Sequence, residues 1–172
     1  LAGKSESGTF KLKGNLYDFP FPENKGGEFE VLVDAHDGIV RYVPDWPVIE
    51  NISAKLIFRG ITMDVVGHSG RVFQTAINFA RIRIADLAHH DPVVELEMRA
   101  DSNVQDALRY IAESPVKGFI NHATDRFAGN GKGKLDLRLT IPLARLDKTQ
   151  IAGDWEFLNA KVTDTLEAVP DL

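Results

Sequence analysis

The feature that most constrains this chain is a strict alternation of apolar and polar side chains along five separate segments. Successive side chains of a β-strand point to opposite faces, so residues two apart share a face. The apolar parity consists of Phe10, Leu12, Gly14 and Leu16; Phe29, Val31, Val33 and Ala35; Ile52, Ala54, Leu56 and Phe58; Val94, Leu96, Met98 and Ala100; and Leu135, Leu137, Leu139 and Ile141. The opposite parity is mostly charged or polar. Strands buried on both faces would be continuously apolar, so the pattern predicts an antiparallel sheet with one apolar face and one wet face.

Weaker strand signals lie between these segments. Asp37-Gly38 predicts a hairpin turn that leads into a short strand over 39–43. Gly67 to Gly70 predicts a turn before a long strand over 72–84, and the apolar parity of that strand shifts near Phe79-Ala80, as it does at a β-bulge. With a last strand over 150–157, we expect nine or ten strands of about eight to twelve residues, which is long for a globular protein.

One helix is predicted to interrupt the sheet, because apolar residues at helical spacing follow Ser102 and Pro115 ends the pattern. Ser102 is the predicted N-cap, with Gln105 three residues later completing a capping box. A second short helical segment is expected before Phe127. The predicted fold class is therefore mostly β within α+β: a long curved antiparallel sheet, groove-like or a partly closed sandwich, with one or two short helices near 102–127.

The absence of an internal linker predicts a single domain over residues 1–172. Its polar start, which lacks a methionine, favours a domain excised from a longer chain. The expected parts are a linker at 1–7, a β-meander at 8–100, the helical insert at 102–127 and returning strands at 132–165.

Composition argues against several function classes. The chain carries 20 Lys and Arg against 25 Asp and Glu, for a formal net charge of −5. No basic run reaches the length that is typical of nucleic-acid binding, so no nucleic-acid partner is predicted. The chain has no cysteine, which excludes disulfides, thiolate nucleophiles and zinc–thiolate sites.

No catalytic, metal or cofactor constellation is predicted, because each polar motif fails on spacing or context. The run from Gly67 to Arg71 resembles a nucleophile elbow but lacks its final glycine, and the stretch 129–134 lacks the spacing of a phosphate loop. Consecutive residues such as His89-His90-Asp91 cannot all face one metal ion, so we expect a polar turn there and at His36-Asp37. His122 and Asp125 are expected to share a solvated helical face. The sequence therefore predicts a protein that is not an enzyme.

What remains is the apolar face. Nine strands about 4.8 Å apart make a sheet about 43 Å wide, whereas the predicted helix is about 15 Å long and covers about two strands. The rest of the face has to be closed by the sheet folding on itself or to be open to a ligand or a neighbouring domain. Two structures satisfy the pattern: a closed β-sandwich, and a curved sheet whose apolar lining contacts an apolar ligand.

The segment Tyr42-Val43-Pro44-Asp45-Trp46-Pro47, followed by the strand Ala54-Lys55-Leu56-Ile57-Phe58-Arg59-Gly60, resembles the AsmA-like, YhdP-type large envelope proteins of Gram-negative bacteria. Four later segments extend the resemblance over about residues 8–159: Ile61–Val65, Ile84–Leu87, the helix Asp106–Ile111 with Ser114-Pro115-Val116, and the closing strand that ends in Ile141-Pro142-Leu143.

The resemblance implies a long parent protein that is anchored in the inner membrane, lies mostly in the periplasm and forms a hydrophobic groove from stacked strand repeats. Such proteins are associated with phospholipid movement between the inner and outer membranes and with the outer-membrane permeability barrier. The implied function is a non-enzymatic segment of that groove, with phospholipid acyl chains and adjoining domains of the parent as partners. The alternative is a closed β-sandwich that serves as a structural or interaction module of an envelope assembly.

The lining residues expected for such a groove belong to the apolar parity, and each of them is otherwise a core position. They are Leu12, Val31, Val33, Leu56, Phe58, Leu96, Met98, Leu137 and Leu139. Tyr42, Trp46 and Pro47 are expected to fix a corner between two strands rather than to contact a ligand.

Overall fold

The sheet is a simple antiparallel meander. The computed structural model describes residues 2–41, 44–114, 116–119, 121–122 and 124–164. Each strand in this part of the chain pairs with its neighbours in chain order, so β1 and β8 are the two outer strands of an open sheet. The strands are β1 (Ala2–Gly14), β2 (Gly27–Val40), β3 (Ile49–Arg59), β4 (Thr62–Val72), β5 (Thr75–Ile84), β6 (Val93–Asn103), β7 (Phe127–Pro142) and β8 (Gln150–Asp164).

Two helices join β6 to β7: α1 (Val104–Ala112) and the single turn α2 (Val116–Phe119). The side chain of Asn103 caps α1 by accepting a hydrogen bond from the N–H of Asp106 at 2.7 Å. The sequence predicted Ser102 as this cap, one residue too early. The predicted fold class, a mostly β protein with a long antiparallel sheet and two short helices near 102–127, is confirmed.

The described residues form eight strands where the sequence predicted nine or ten, because one predicted turn is a bulge. Asp37 adopts a left-handed φ of 52°, and the pairing of β2 with β3 shifts between Ala35 and Gly38. The chain kinks there and continues to Val40 in one strand. A turn pair inside a longer strand gives the same local sequence signal as a hairpin, since both need a positive φ.

Two further differences concern segments rich in glycine or polar residues. Residues 67–70, expected to be a turn, lie inside β4, and the chain reverses at Phe73 and Gln74. Residues 2–7, expected to be a linker, belong to β1 and pair with β2. Backbone pairing with a neighbour holds these residues in the sheet without an apolar pattern of their own.

Bulges occur at a similar level on several neighbouring strands. The register shifts lie between Ser5 and Ser7 on β1, between Ala35 and Gly38 on β2, between Glu50 and Ser53 on β3, between Gly67 and Ser69 on β4, and between Ile77 and Phe79 on β5. The β5 shift confirms the predicted bulge, which was placed slightly too late in the sequence. Bulges bend a strand and increase its twist.

Small residues on the apolar face accompany these bulges. One cross-strand row, which we name the bulge-side row, runs through directly paired residues Ser5, Ala35, Ala54, Gly67, Ala80, Met98, Leu137 and Gly153. A Cβ added to Gly67 would lie 3.2 Å from the Cβ of Ala80, and Ala54 is only 5% exposed. Small side chains therefore allow the neighbouring strands to pack where they bend.

A buried carboxylate ties together two loops at the other end of the strands. Asp91, which is 6% exposed, accepts hydrogen bonds from the N–H of Ala144 at 2.9 Å and from the Nε of Arg145 at 2.7 Å. The N–H of Ala144 and, after it, the Arg145 guanidinium lower the pKa of Asp91 below its usual value, against the opposing effect of desolvation. The folded structure therefore stabilises the ionised form of Asp91.

Enlarging the side chain at the bend should destabilise the fold. Ala54→Leu adds three carbons at a buried position, and we expect it to lower the free energy of unfolding by about 1–3 kcal/mol through overpacking. Ala152→Leu, the same change at an exposed strand position, should shift it by less than about 0.5 kcal/mol. Urea unfolding followed by circular dichroism measures both values, and equal effects would contradict the tight bend.

Lowering the pH should remove the stabilisation that Asp91 provides. Because its folded pKa is depressed, this contribution is present above the unfolded pKa of about 3.9 and is lost as the pH falls through the lower folded value. Asp91→Asn should thus be less stable than the unmodified chain near pH 6, and the difference should shrink at low pH. Unfolding free energies measured from pH 6 downward test this, with the exposed Asp154→Asn as control; a difference that stays constant with pH would refute it.

Candidate functional site: an exposed apolar face

Strand pairing gathers the predicted lining residues on one face of the sheet. Residues directly opposite each other in an antiparallel pair share a face, so a row of pairs can be followed from strand to strand. One such row, which we name the central row, crosses all eight strands through Gly8, Val33, Leu56, Val65, Ile82, Leu96, Leu139 and Ile151. Every member after the glycine has a branched apolar side chain.

A second apolar row lies beside the central row, on the side away from the bulges. This loop-side row consists of Phe10, Val31, Phe58, Met63, Ile84, Val94 and Ile141. With the bulge-side row, the face comprises three adjacent rows. Eight of the nine predicted lining residues belong to them, and Leu12 pairs with Phe29 just beyond the loop-side row.

The sequence prediction omitted several residues of this face. Val65, Ile82 and Ile151 are members of the central row that were not named as lining. The strands of Val65 and Ile82 do carry apolar residues at alternate positions, but the bulges in β4 and β5 obscure the period. These residues are found by following the strand pairing from Leu56 and Leu96 to the paired residues on neighbouring strands.

The apolar face is accessible to solvent. None of the nine predicted lining residues is buried, and Leu12 is 42% exposed. At the two outer strands Phe10 is 67% exposed and Ile151 is 66% exposed. The chain exposes 11862 Å², against about 8,400 Å² expected for a compact monomer of 19.1 kDa.

The opposite face is charged. Arg83 lies opposite Glu95, and Glu97 lies between Arg81 and Arg138 on the two flanking strands. Directly opposed charges of opposite sign stabilise a sheet modestly, and such a face favours water. The contrast between the two faces is what the alternation in the sequence predicted.

The loop between β1 and β2 covers part of the apolar face at one end of the strands. Phe21 is fully buried, and its ring lies where a side chain at Gly14 or Gly27 would project. The ring of Phe19 makes an edge contact with that of Phe29, with centroids 5.2 Å apart. This loop forms an aromatic wall along β1 and β2.

Helix α1 covers the face at the other end of the strands. Val72, Ile77 and Ala100 form a buried cluster beneath Phe73 and Tyr110, and Val104 at the start of the helix is also buried. The Arg109 guanidinium lies 3.9 Å from the centroid of the Phe73 ring. This second wall is a short helix packed on the β4–β5 turn.

The predicted structural motif lies next to this helix. The Trp46 ring contacts the Tyr110 ring with centroids 6.0 Å apart, and Pro47 is buried just before β3. Trp46, Pro47, Phe73 and Glu113 line part of an open cavity of about 420 Å³ at this rim. Tyr42 lies outside the described residues, and the corner role of the motif stays a prediction.

A buried carboxylate holds α1 against the sheet. Asp106, which is 7% exposed, accepts hydrogen bonds from the N–H of Gln74 at 2.9 Å and from the hydroxyl of Thr75 at 3.0 Å. Its backbone N–H is bound by Asn103. Asp106 therefore connects the helix start, the end of β6 and the β4–β5 turn.

The polar motifs have structural contacts. His89 hydrogen-bonds through its Nδ1 with the backbone of Asp91, and His122 and Lys117 contact the Asp125 carboxylate at the surface. The stretch 129–134 is part of β7. Among the described residues, no group of three or more His, Asp or Glu side chains is arranged to hold a metal ion.

Removing the Asp106 carboxylate should loosen α1. Asp106→Ala leaves the N–H of Gln74 without its acceptor in a partly buried site, which we expect to cost about 1–3 kcal/mol of stability. Glu113→Ala at the exposed end of the same helix should cost less than about 1 kcal/mol, because only a surface ion pair is lost. Thermal unfolding and hydrogen exchange of the α1 amides measure the effects, and unchanged protection of α1 in Asp106→Ala would disprove the anchoring role.

Within the described part of the chain, the helices are too short and too polar to cross a membrane. No solved structure matches the chain.

Comparison with known sequences identifies the family. Among curated proteins, the intermembrane phospholipid transporter YhdP of Escherichia coli (strain K12) is 26% identical over 148 residues, which cover 82% of this chain and 11% of that protein. The chain thus spans only a small part of the length of the relative that it matches. A family profile described as YhdP protein matches residues 1–167, which confirms the resemblance seen in the sequence. Because this match covers nearly all of the residues, the chain belongs to the YhdP family.

Proposed function

We propose that this domain is a non-enzymatic segment of a hydrophobic groove along which phospholipid acyl chains move between the inner and outer membranes. The observation that carries the proposal is the exposed apolar face, in which three rows of mostly apolar residues cross the strands. A contiguous apolar surface of this size that remains accessible on a folded chain marks a binding surface. The curated relative named as an intermembrane phospholipid transporter supports a phospholipid as the ligand.

The position of the walls supports a direction for the groove. The aromatic loop and α1 stand at opposite ends of the strands, while the outer strands β1 and β8 leave the rows open at both sides. A long apolar ligand therefore fits across the strands, parallel to the rows. Movement in this direction needs no bond to be made or broken, because each strand offers a similar apolar contact.

The same proposal covers the setting of the domain. We infer a periplasmic location within a longer parent that is anchored in the inner membrane, a role in maintaining the outer-membrane permeability barrier, and adjoining domains that continue the groove. The low fraction of the relative that the chain covers supports a single domain within a longer protein. The alternative, a closed sandwich acting as an interaction module, would need a second layer over the apolar face, and the described residues provide only one sheet.

A carboxylate in the central row should block lipid binding without unfolding the domain. Leu139→Glu places a charge where an acyl chain would lie, and we expect at least about tenfold weaker uptake of a fluorescent phospholipid by the full-length protein, since burying an unpaired charge costs several kcal/mol. The side chain is partly exposed, so the far-UV circular dichroism spectrum should be retained.

The matched control is Ala152→Glu, which puts the same group on the charged face opposite Arg138 and should bind lipid normally. Native mass spectrometry of the purified proteins provides an independent readout of co-purifying phospholipid. Unchanged uptake by a folded Leu139→Glu protein would refute the groove. Unfolding of this variant would instead place Leu139 in a closed core and support the alternative.

A further inference from the structure

We propose that an acyl chain in this domain follows the central row, and that the rows on either side act as its borders. This inference rests on the proposed function and adds the path of the ligand within the groove. It divides eight of the nine predicted lining residues, all except Leu12, into two groups. Val33, Leu56, Leu96 and Leu139 belong to the path, whereas Val31, Phe58, Met98 and Leu137 belong to its borders.

The central row is more continuously accessible than the rows on either side of it. From Val33 to Leu139 each residue of the central row is partly exposed, and Ile151 at the end is 66% exposed. The loop-side row is interrupted on β5, where Ile84 is 5% exposed, and the bulge-side row is interrupted on β3, where Ala54 is 5% exposed. Neighbouring side chains already cover these two positions. A ligand following either border row would have to displace them.

The length of the central row matches that of acyl chains laid end to end. Seven intervals of about 4.8 Å between eight strands give the central row a length of about 34 Å. The hydrocarbon core of a bilayer, which two acyl chains span end to end, is about 30 Å thick. One acyl chain therefore occupies about half of the row, and the domain can hold two chains in file.

Side-chain shape is also continuous along the central row. Leu56, Val65, Ile82 and Leu96 follow one another on β3 to β6 with branched side chains of similar size. Over the same four strands the bulge-side row changes from Ala54 and Gly67 to Met98. Side chains of similar size give a sliding acyl chain a level surface, whereas side chains of different size make the surface irregular.

Photocrosslinking with matched positions tests the path. Three consecutive residues of β6 lie in different places: Leu96 in the central row, Glu97 on the charged face and Met98 in the bulge-side row. Each is replaced in turn by p-benzoylphenylalanine in the full-length protein. The protein is mixed with vesicles of phosphatidylethanolamine and phosphatidylglycerol that carry a trace of radiolabelled phospholipid, and then irradiated.

We expect a strong lipid adduct at Leu96 and none above background at Glu97. The adduct at Met98 should be at least about threefold weaker, because adjacent rows lie about 6.8 Å apart and contact requires about 4.5 Å. Leu139, Arg138 and Leu137 on β7 repeat the comparison, so the test remains decisive if a variant on one strand fails to fold.

The outcomes separate the two proposals. Adducts at Met98 and Leu137 that equal or exceed those at Leu96 and Leu139 would overturn the path while leaving the groove in place. The absence of adducts at all positions of the apolar face in folded protein would overturn the groove itself, and the path with it. Adducts at Glu97 and Arg138 as strong as those at Leu96 and Leu139 would show that the lipid contacts the sheet without following the central row, and would also overturn the path.

Discussion

The structure depends on one constraint, the pairing register of the strands. A slip of one residue between two strands would move every later side chain to the other face. Here the register keeps the apolar parity aligned from Val33 on β2 to Ile151 on β8, across several bulged strands. This alignment separates an apolar face from a charged one, and any binding role depends on that separation.

An open one-sided sheet gives up much of the hydrophobic stabilisation that a second layer would provide. The described residues offset this loss by local means. Walls at the strand ends bury Phe21, Val104 and the cluster around Ile77, and carboxylates such as Asp91 and Asp106 join separate loops through buried hydrogen bonds. The middle of the apolar face stays exposed because these packing contacts and hydrogen bonds lie only at its margins. A groove needs both properties, a firm frame and an uncovered lining.

The alternation in the sequence predicted the antiparallel sheet, its two contrasting faces and the helical insert near 102–127, because periods of two and of 3.6 residues are local properties. It also placed the candidate lining residues on one parity. It misjudged Asp37-Gly38, since a residue with positive φ serves a bulge as well as a turn. It also misjudged the stretch 67–70, which is paired strand inside β4. It missed Val65 and Ile82 because the bulges in β4 and β5 break the period.

By itself, the sequence determined that the strands would have one apolar and one polar face, because side-chain direction along a strand is fixed by the backbone. Only the tertiary structure decided whether that apolar face would be sealed or open. The answer depends on contacts between distant residues, namely which loops fold back, where α1 docks and that β1 and β8 remain at opposite edges. No local pattern encodes these contacts, since a core residue and a groove residue can have the same identity and spacing.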